Sequence, residues 1–385
     1  MQFTEEHNEI RRTVQSFVTN EINPFVAAWE RDELLPASEL ARKAGALGLL
    51  GINKDPGVGG LGLDYSYQAV FAEEIGTAHD GSTPMFFGVQ TMMATPALGT
   101  YGSDDLKAEF LVPQIAGDRV CSIAVSEPHA GSDVAAIKTT ARKDGDDYVI
   151  NGSKMWITQS TQADFLVTLV NTGDGPIHSN KSLLVVPTDV KGFSHSKRLD
   201  KLGMRSSDTA QLFFDNVRVP RRFLIGEEGK GFIYQMEQFQ EERLWVALSS
   251  LKGLELCVQS TIEYTSQRSA FGKRLLDNQV VQFRLAELQT EIESLRALSY
   301  QCVEQLISGE DVTLRASMAK LKCGRLAREV TDACLQYWGG MGFMWDNVVS
   351  RLYRDMRLHA IGGGSDETML GIIAKYMGMG KGGRG

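Results

Sequence analysis

Apolar positions follow a helical period at both ends of the chain and a strand-like one between them. Near the N-terminus Ile10, Val14, Phe17 and Val18 recur at helical spacing. Thr4 precedes them as a candidate cap, with Glu5 and Glu6 suited to a first turn. Asn23-Pro24 and Leu35-Pro36 break this pattern, and residues 64–78, 84–101 and 104–115 read as further helices. Gly57-Val58-Gly59-Gly60-Leu61-Gly62 resembles a phosphate cradle but lacks its Lys-Ser/Thr and follows no strand, so it reads as a helix–helix loop. From Cys121 to about Ile225 the pattern turns to strands, in runs such as Phe165–Val170, Leu183–Val186 and Leu212–Phe214 bounded by turn residues. Asn151-Gly152 predicts a two-residue hairpin turn. Pro220 and Gly226 mark the exit, and after Gly231 the chain is helical again.

The most periodic stretch places Val281, Leu285, Leu288, Ile292, Leu295, Leu298 and Cys302 on one stripe, which suits a long bundle helix. Segments 312–338 and 366–379 continue the bundle, and 380–385 reads as a frayed tail. The expected organisation is a multidomain α+β protein. It comprises a helical domain over 1–118, a β-barrel domain over 119–228 and a four-helix bundle over 229–385.

Composition narrows the function classes. A chain of 385 residues, 43% hydrophobic and 23% charged, is globular and long enough for large cores. A net charge of −8 argues against nucleic acid or an anionic membrane as partner. Five scattered cysteines suit reduced thiols, and six dispersed histidines lack metal-ligand spacing. No apolar run reaches the roughly 20 residues that span a bilayer. The polar start at Thr4 leaves no room for a signal or transit peptide, so a cytoplasmic bacterial protein is expected.

The candidate chemistry begins at Cys121–Thr158. Ser126, Ser132, Thr158, Gly131 and the Trp156 indole fall close together on β-type backbone. Hydroxyls and free N–H groups suit phosphate and heteroaromatic edges, and an indole suits a flat ring face. An ordinary polar hairpin with a core Trp has the same composition. Ser126-Glu127-Pro128-His129-Ala130-Gly131-Ser132-Asp133, followed by Lys154-Met155-Trp156-Ile157-Thr158, resembles the flavin signature of the acyl-CoA dehydrogenases. The helical, β, helical order also resembles that family over essentially the whole chain.

The resemblance implies FAD and the α,β-dehydrogenation of an acyl-CoA thioester. Thr158 would lie near flavin N5, Trp156 on the ring system, Ser126 at the pyrimidine end and Ser132 at the pyrophosphate or substrate. Gln267–Lys273 with Leu276–Gln279 resembles the segment that crosses a subunit interface to another protomer's FAD, with Arg268, Phe271 and Gln279 as contacts. Gln336 with Gly339 and Gly340 resembles the segment that receives the adenosine end. A homo-oligomer, usually a tetramer, and an electron-transferring flavoprotein as acceptor are implied with it.

The chain departs from the common family pattern at its base. Gly363 stands where most members carry the catalytic Glu; it has no side chain, although its N–H remains available for the thioester carbonyl. Ser365 then caps the last helix near FAD, and Glu367 in its first turn is expected with it among the cofactor-binding residues. Isovaleryl-CoA and long-chain dehydrogenases place the carboxylate on an earlier helix, one residue before an Arg. Glu242 matches that position and Arg243 would assist CoA binding. Adjacent residues on a helix diverge by about 100°, so only one of Glu241 and Glu242 faces the flavin, and Glu242 is the expected base. A branched acyl-CoA, such as isovaleryl- or citronellyl-CoA, is the first expectation, with medium- and long-chain thioesters also open. An oxygen-using flavoprotein of this fold and a silent acyl-CoA- or FAD-binding protein remain alternatives.

Overall fold

The computed structural model describes residues 1–379, so the tail expectation for 380–385 lies outside the described residues. The N-terminal part comprises α1 (Glu5–Phe17), α2 (Val26–Asp32), α3 (Ala37–Ala46), α4 (Tyr65–Ile75), α5 (Ser82–Gly88), α6 (Pro96–Tyr101), α7 (Asp104–Leu106) and α8 (Val112–Ile115). The Thr4 N–H donates to His7 Nδ1, which fixes the start of α1, and Val14 and Phe17 bury its inner face. The helix expected over 84–101 is not continuous. A π-turn at Val89–Met93 and Pro96 divide it, and Gln238 stitches the break by accepting from Ala97 N (3.1 Å) and donating to Met93 O.

The strands are β1 (Cys121–Ala124), β2 (Thr140–Asp144), β3 (Asp147–Thr158), β4 (Phe165–Asn171), β5 (Lys181–Pro187), β6 (Phe193–His195), β7 (Thr209–Pro220) and β8 (Leu224–Ile225). They form an eight-stranded sheet in the order β6-β7-β3-β2-β4-β5-β8, with β1 parallel to β4. Only the pair Thr140–Asn171 joins β2 to β4, so the sheet is nearly two halves. The hairpin expected at Asn151-Gly152 is corrected. These residues lie inside β3, and the turn falls at Gly145-Asp146 between β2 and β3. Gly152 instead takes φ 146° where the β3–β7 register slips, and any Cβ there would strike Thr139 at 2.5–2.8 Å. The Asn-Gly pair marks a bulge because tertiary pairing with β7 overrides its local turn preference.

The C-terminal part holds α9 (Gly231–Gln267), a short hairpin β9 (Ser269–Ala270) and β10 (Lys273–Arg274), then α10 (Gln279–Ile307), α11 (Thr313–Trp338), α12 (Val348–Asp355) and α13 (Asp366–Tyr376). The stripe read from sequence is the buried face of α10, from Val281 to Cys302, with Leu298 half-buried. All five cysteines are buried free thiols. Among the described residues no helix is long and apolar enough to cross a membrane.

One side chain ties the three parts together. Asp355 at the end of α12 is fully buried and accepts from Gly81 N (2.8 Å) in the N-terminal part and Met204 N (2.5 Å) in the loop before β7. Beside it, Ser206 donates its N–H to Glu30 (3.1 Å) and its hydroxyl to Asp80 (3.2 Å). Burial pushes Asp355 up to about 7 and Asp80 up to about 6, so native packing favours their protonated forms.

Candidate active site

β3 carries the first group of candidate residues. Trp156 sits at a second register slip between Lys154 and Ile157, with a left-handed φ of 60°. That bulge turns the indole outward, leaving it 53% exposed, an unusual state for so large an apolar ring. Met155 N donates to Ser126 O (2.9 Å), which lays the Ser126 loop along the same strand. Ser126 and Thr158 are half-exposed and Ser132 is exposed.

The loop is held from beneath by a buried ion pair. Lys154 donates to Val125 O and to Glu127, both at 2.9 Å, and neither charged side chain is more than 2% exposed. Burial works to raise Glu127, but Lys154 and the N–H groups of Thr139 and Lys138 hold its carboxyl below the usual range. Burial conversely pushes Lys154 down to about 8. The sequence contained both residues, but their pairing was missed because it joins positions 27 apart.

The second group surrounds Gly363. Glu242 is buried, and its Oε1 lies 3.3 Å from where a Cβ on Gly363 would stand. Lys320 Cε and Val246 Cγ2 each lie 3.9 Å from the same point. The two positions that sequence reasoning exchanged are therefore neighbours in space. Burial pushes Glu242 up to about 7 against the opposing pull of Arg243 and Lys320. Glu241 follows a different direction from the helix axis; burial raises it and Lys54 opposes the rise. Arg243 is buried, with its Nε unpartnered among the described residues. Ser365 caps α13 by accepting from Thr368 N at 3.2 Å. Glu367 is exposed in the first turn of α13, and its own N–H and Ser365 hold its pKa low.

Lys320 was missed in sequence reading. Its signal is a cation on the apolar face of α11, between the buried Ala316, Ala319 and Cys323.

The third group lies at the far end of α9. Arg268 follows its last residue, 26 positions after Glu242, which is about 39 Å along a helix. Trp338 stacks on Tyr264 at 4.5 Å and donates to Thr261 (3.1 Å), bringing Gln336, Gly339 and Gly340 to that same end. Phe271, with φ 52°, projects fully exposed from the β9–β10 turn, and Gln279 opens α10 beside it. The structure thus unites the β3 residues with one another, Glu242 with Gly363, and Arg268 with Gln336, but separates the last group from the second.

Residues 4–118, 122–217 and 229–378 match the N-terminal, middle and C-terminal domains of acyl-CoA dehydrogenase. The chain belongs to the acyl-CoA dehydrogenase family. It is 37% identical over 376 residues to the long-chain specific acyl-CoA dehydrogenase of Sus scrofa mitochondria, covering 97% of this chain and 86% of that protein. An acyl-CoA dehydrogenase from Geobacillus kaustophilus superposes with TM-score 0.94 at 38% identity, covering 97% of this chain and 98% of the other. A glutaryl-CoA dehydrogenase from Mycobacterium smegmatis, in complex with FADH2, gives 0.92 at 29% identity over 99% and 97% of the two chains. This acyl-CoA dehydrogenase is a flavin-dependent oxidoreductase, and FAD is its cofactor. The residues present fit it: a bulge exposes a flat indole, and a Cβ on Gly131, Gly339 or Gly340 would meet nothing within 4 Å.

Gly363 offers a direct check of the exchanged base. With φ 63° and the Glu242 oxygen close by, Gly363→Ala should slow substrate-driven flavin reduction about tenfold and destabilise by about 1–2 kcal/mol. Stopped-flow absorbance and denaturant titration read the two effects. An unaltered rate would mean that the loop and Glu242 do not act together.

Proposed function

We propose that this chain removes the Cα proton of a branched acyl-CoA with Glu242 and passes its electrons onward to an electron-transferring flavoprotein. The observation carrying this reading is the 3.3 Å approach of Glu242 Oε1 to the Gly363 position. A Cα proton of a thioester is weakly acidic, so its removal needs a base aimed at Cα and donors at the carbonyl. Glu242 supplies the carboxylate, and the Gly363 N–H donates to the thioester oxygen. Burial brings the base near operating pH, where it still ionises yet holds a proton well. Arg243 orients the CoA portion. Bound FAD would supply the acceptor for the hydride lost from Cβ, held by the β3 residues Trp156 and Thr158.

Ser126, Ser132, Trp156 and Thr158 hold the flavin end of the cofactor in this reading. Arg268, Phe271, Gln279, Gln336, Gly339 and Gly340 serve the FAD of another protomer, because about 39 Å of helix separates Arg268 from Glu242 in one chain. An oligomer, with a tetramer as the expected state, is supported by exposed Phe271, Val280, Phe283 and Phe343 at that end. The branched substrate is supported by the helix position of the base and by the absence of a side chain at Gly363.

The deciding experiment is anaerobic flavin absorbance as the holoenzyme meets straight and branched acyl-CoAs. Bleaching is expected, fastest with a branched thioester. Its rate should rise with pH and level off above a midpoint near 7, because only ionised Glu242 accepts a proton. An intact flavin spectrum across the whole set would overturn the reading, and faster bleaching by straight chains would overturn the branched assignment.

A further inference from the structure

Lys320 has an unusual environment for a lysine. Its side chain is fully buried on α11, and its ammonium donates to two backbone carbonyls, His359 O (2.7 Å) and Gly364 O. No carboxylate lies within 4 Å of it among the described residues. A buried cation whose direct partners are neutral retains much of its desolvation cost unless a negative charge stands nearby.

The groups around it leave two carboxylates, Asp366 and Glu242, to supply that charge. His359 donates or accepts at Ser250 (3.0 Å), and burial holds it neutral by pushing it down to about 3. Burial pushes the Cys323 thiol up to about 11, so it is uncharged. Asp366 faces Lys320 but is engaged by Arg328 at 2.8 Å. Arg243, on α9, is a second cation in the same field. Of the two, Glu242 is the one that adjoins the Gly363 position: its Oε1 and the Lys320 Cε both lie within 4 Å of the Cβ position there.

Both hydrogen bonds of Lys320 grip the loop that carries Gly363, at residues 359 and 364. One side chain therefore fixes the N–H offered to the thioester and sets a positive charge beside the base. From this geometry we infer that Lys320 is the positioning residue and fixed counter-charge of proton abstraction. This rests on the reading of Glu242 as base.

The step balances without further reactants. The Cα–H bond breaks, an O–H bond forms on Glu242, and the electron pair moves to the thioester oxygen at the Gly363 N–H. One negative charge leaves the carboxylate and one appears on the enolate oxygen, both on the side of the pocket where Gly363, Glu242 and Lys320 converge. The pocket's net charge does not change, so the buried cation is never left uncompensated.

Proton exchange isolates this step from electron transfer. The probe is 3,3-dimethylbutyryl-CoA, which has Cα hydrogens but no hydrogen on Cβ to lose as hydride. The holoenzyme is incubated with it in D2O across pH, and deuterium at Cα is followed by mass spectrometry. Wild type should exchange with a midpoint near pH 7. Lys320→Gln keeps two N–H donors for the carbonyls but removes the charge. It should move the midpoint up by about one pH unit and lower the plateau rate about tenfold. Lys320→Arg keeps the charge and should retain the wild-type midpoint.

A wild-type midpoint in Lys320→Gln, even with a slower plateau, would mean a purely structural role and overturn the inference. Should Lys320→Gln fail to fold, Lys320→Met is compared with the Lys320→Met/Glu242→Gln double variant. Recovery of folded protein in the double supports paired charges, and no recovery overturns them. Loss of exchange in wild type itself, together with a flavin that the straight and branched acyl-CoAs leave unbleached, would instead overturn the reading of Glu242 as base.

Discussion

Glu242→Gln is expected to slow flavin reduction by an acyl-CoA by about 10²–10⁴-fold while FAD stays bound. The amide keeps the shape of the carboxylate but cannot take a proton, so the change removes the chemistry and little of the packing. Glu241 cannot substitute, because adjacent residues on α9 diverge by about 100°. Nor can residue 363, which has no side chain. Anaerobic stopped-flow absorbance measures the effect, with the as-isolated flavin spectrum as control for cofactor content. A rate within threefold of wild type would remove Glu242 from the mechanism.

Lys154→Met should produce the largest loss of stability, about 3 kcal/mol, together with weakened FAD retention. The substitution leaves Glu127 buried without its countercharge, with only the N–H groups of Lys138 and Thr139 still donating. It also frees Val125 O, so the loop that carries Ser126 keeps only the Met155 N–H to Ser126 O bond as its described tie to β3. Denaturant titration reads the stability, and the flavin-to-protein absorbance ratio after gel filtration reads retention. Full stability in Lys154→Met would show that the pair merely balances its own burial cost. Full FAD content in a destabilised variant would separate the pair from cofactor binding.

The sequence carried the order of the three parts because each has a dominant period, as the α10 stripe from Val281 to Cys302 illustrates. It also offered Glu242 as a carboxylate in place of one at 363, an expectation that rested on local motifs at both positions, which the structure places side by side. What escaped it was set by contacts across the chain. Asn151-Gly152 has the composition of a turn, but pairing with β7 made it a bulge. The π-turn at Val89–Met93 interrupts a run whose periodicity looks continuous, and its stitch comes from Gln238, far along the chain. Lys154 and Lys320 read as ordinary helix or strand cations until their partners at 127 and 359 are seen. A buried charge announces itself in sequence only as a polar residue on an apolar face.

The Asp355 junction bears on what proteolysis can release. Its carboxyl closes two backbone donors belonging to the other two parts, and Ser206 is bound by acids from the helices before the sheet. Cutting the chain near 118 or 228 would leave each piece with buried polar groups whose complements went with another piece. Such fragments inherit a defect at their newly bared faces, however complete their own elements remain. The chain thus has no spare module to shed: its three parts persist together or are degraded together.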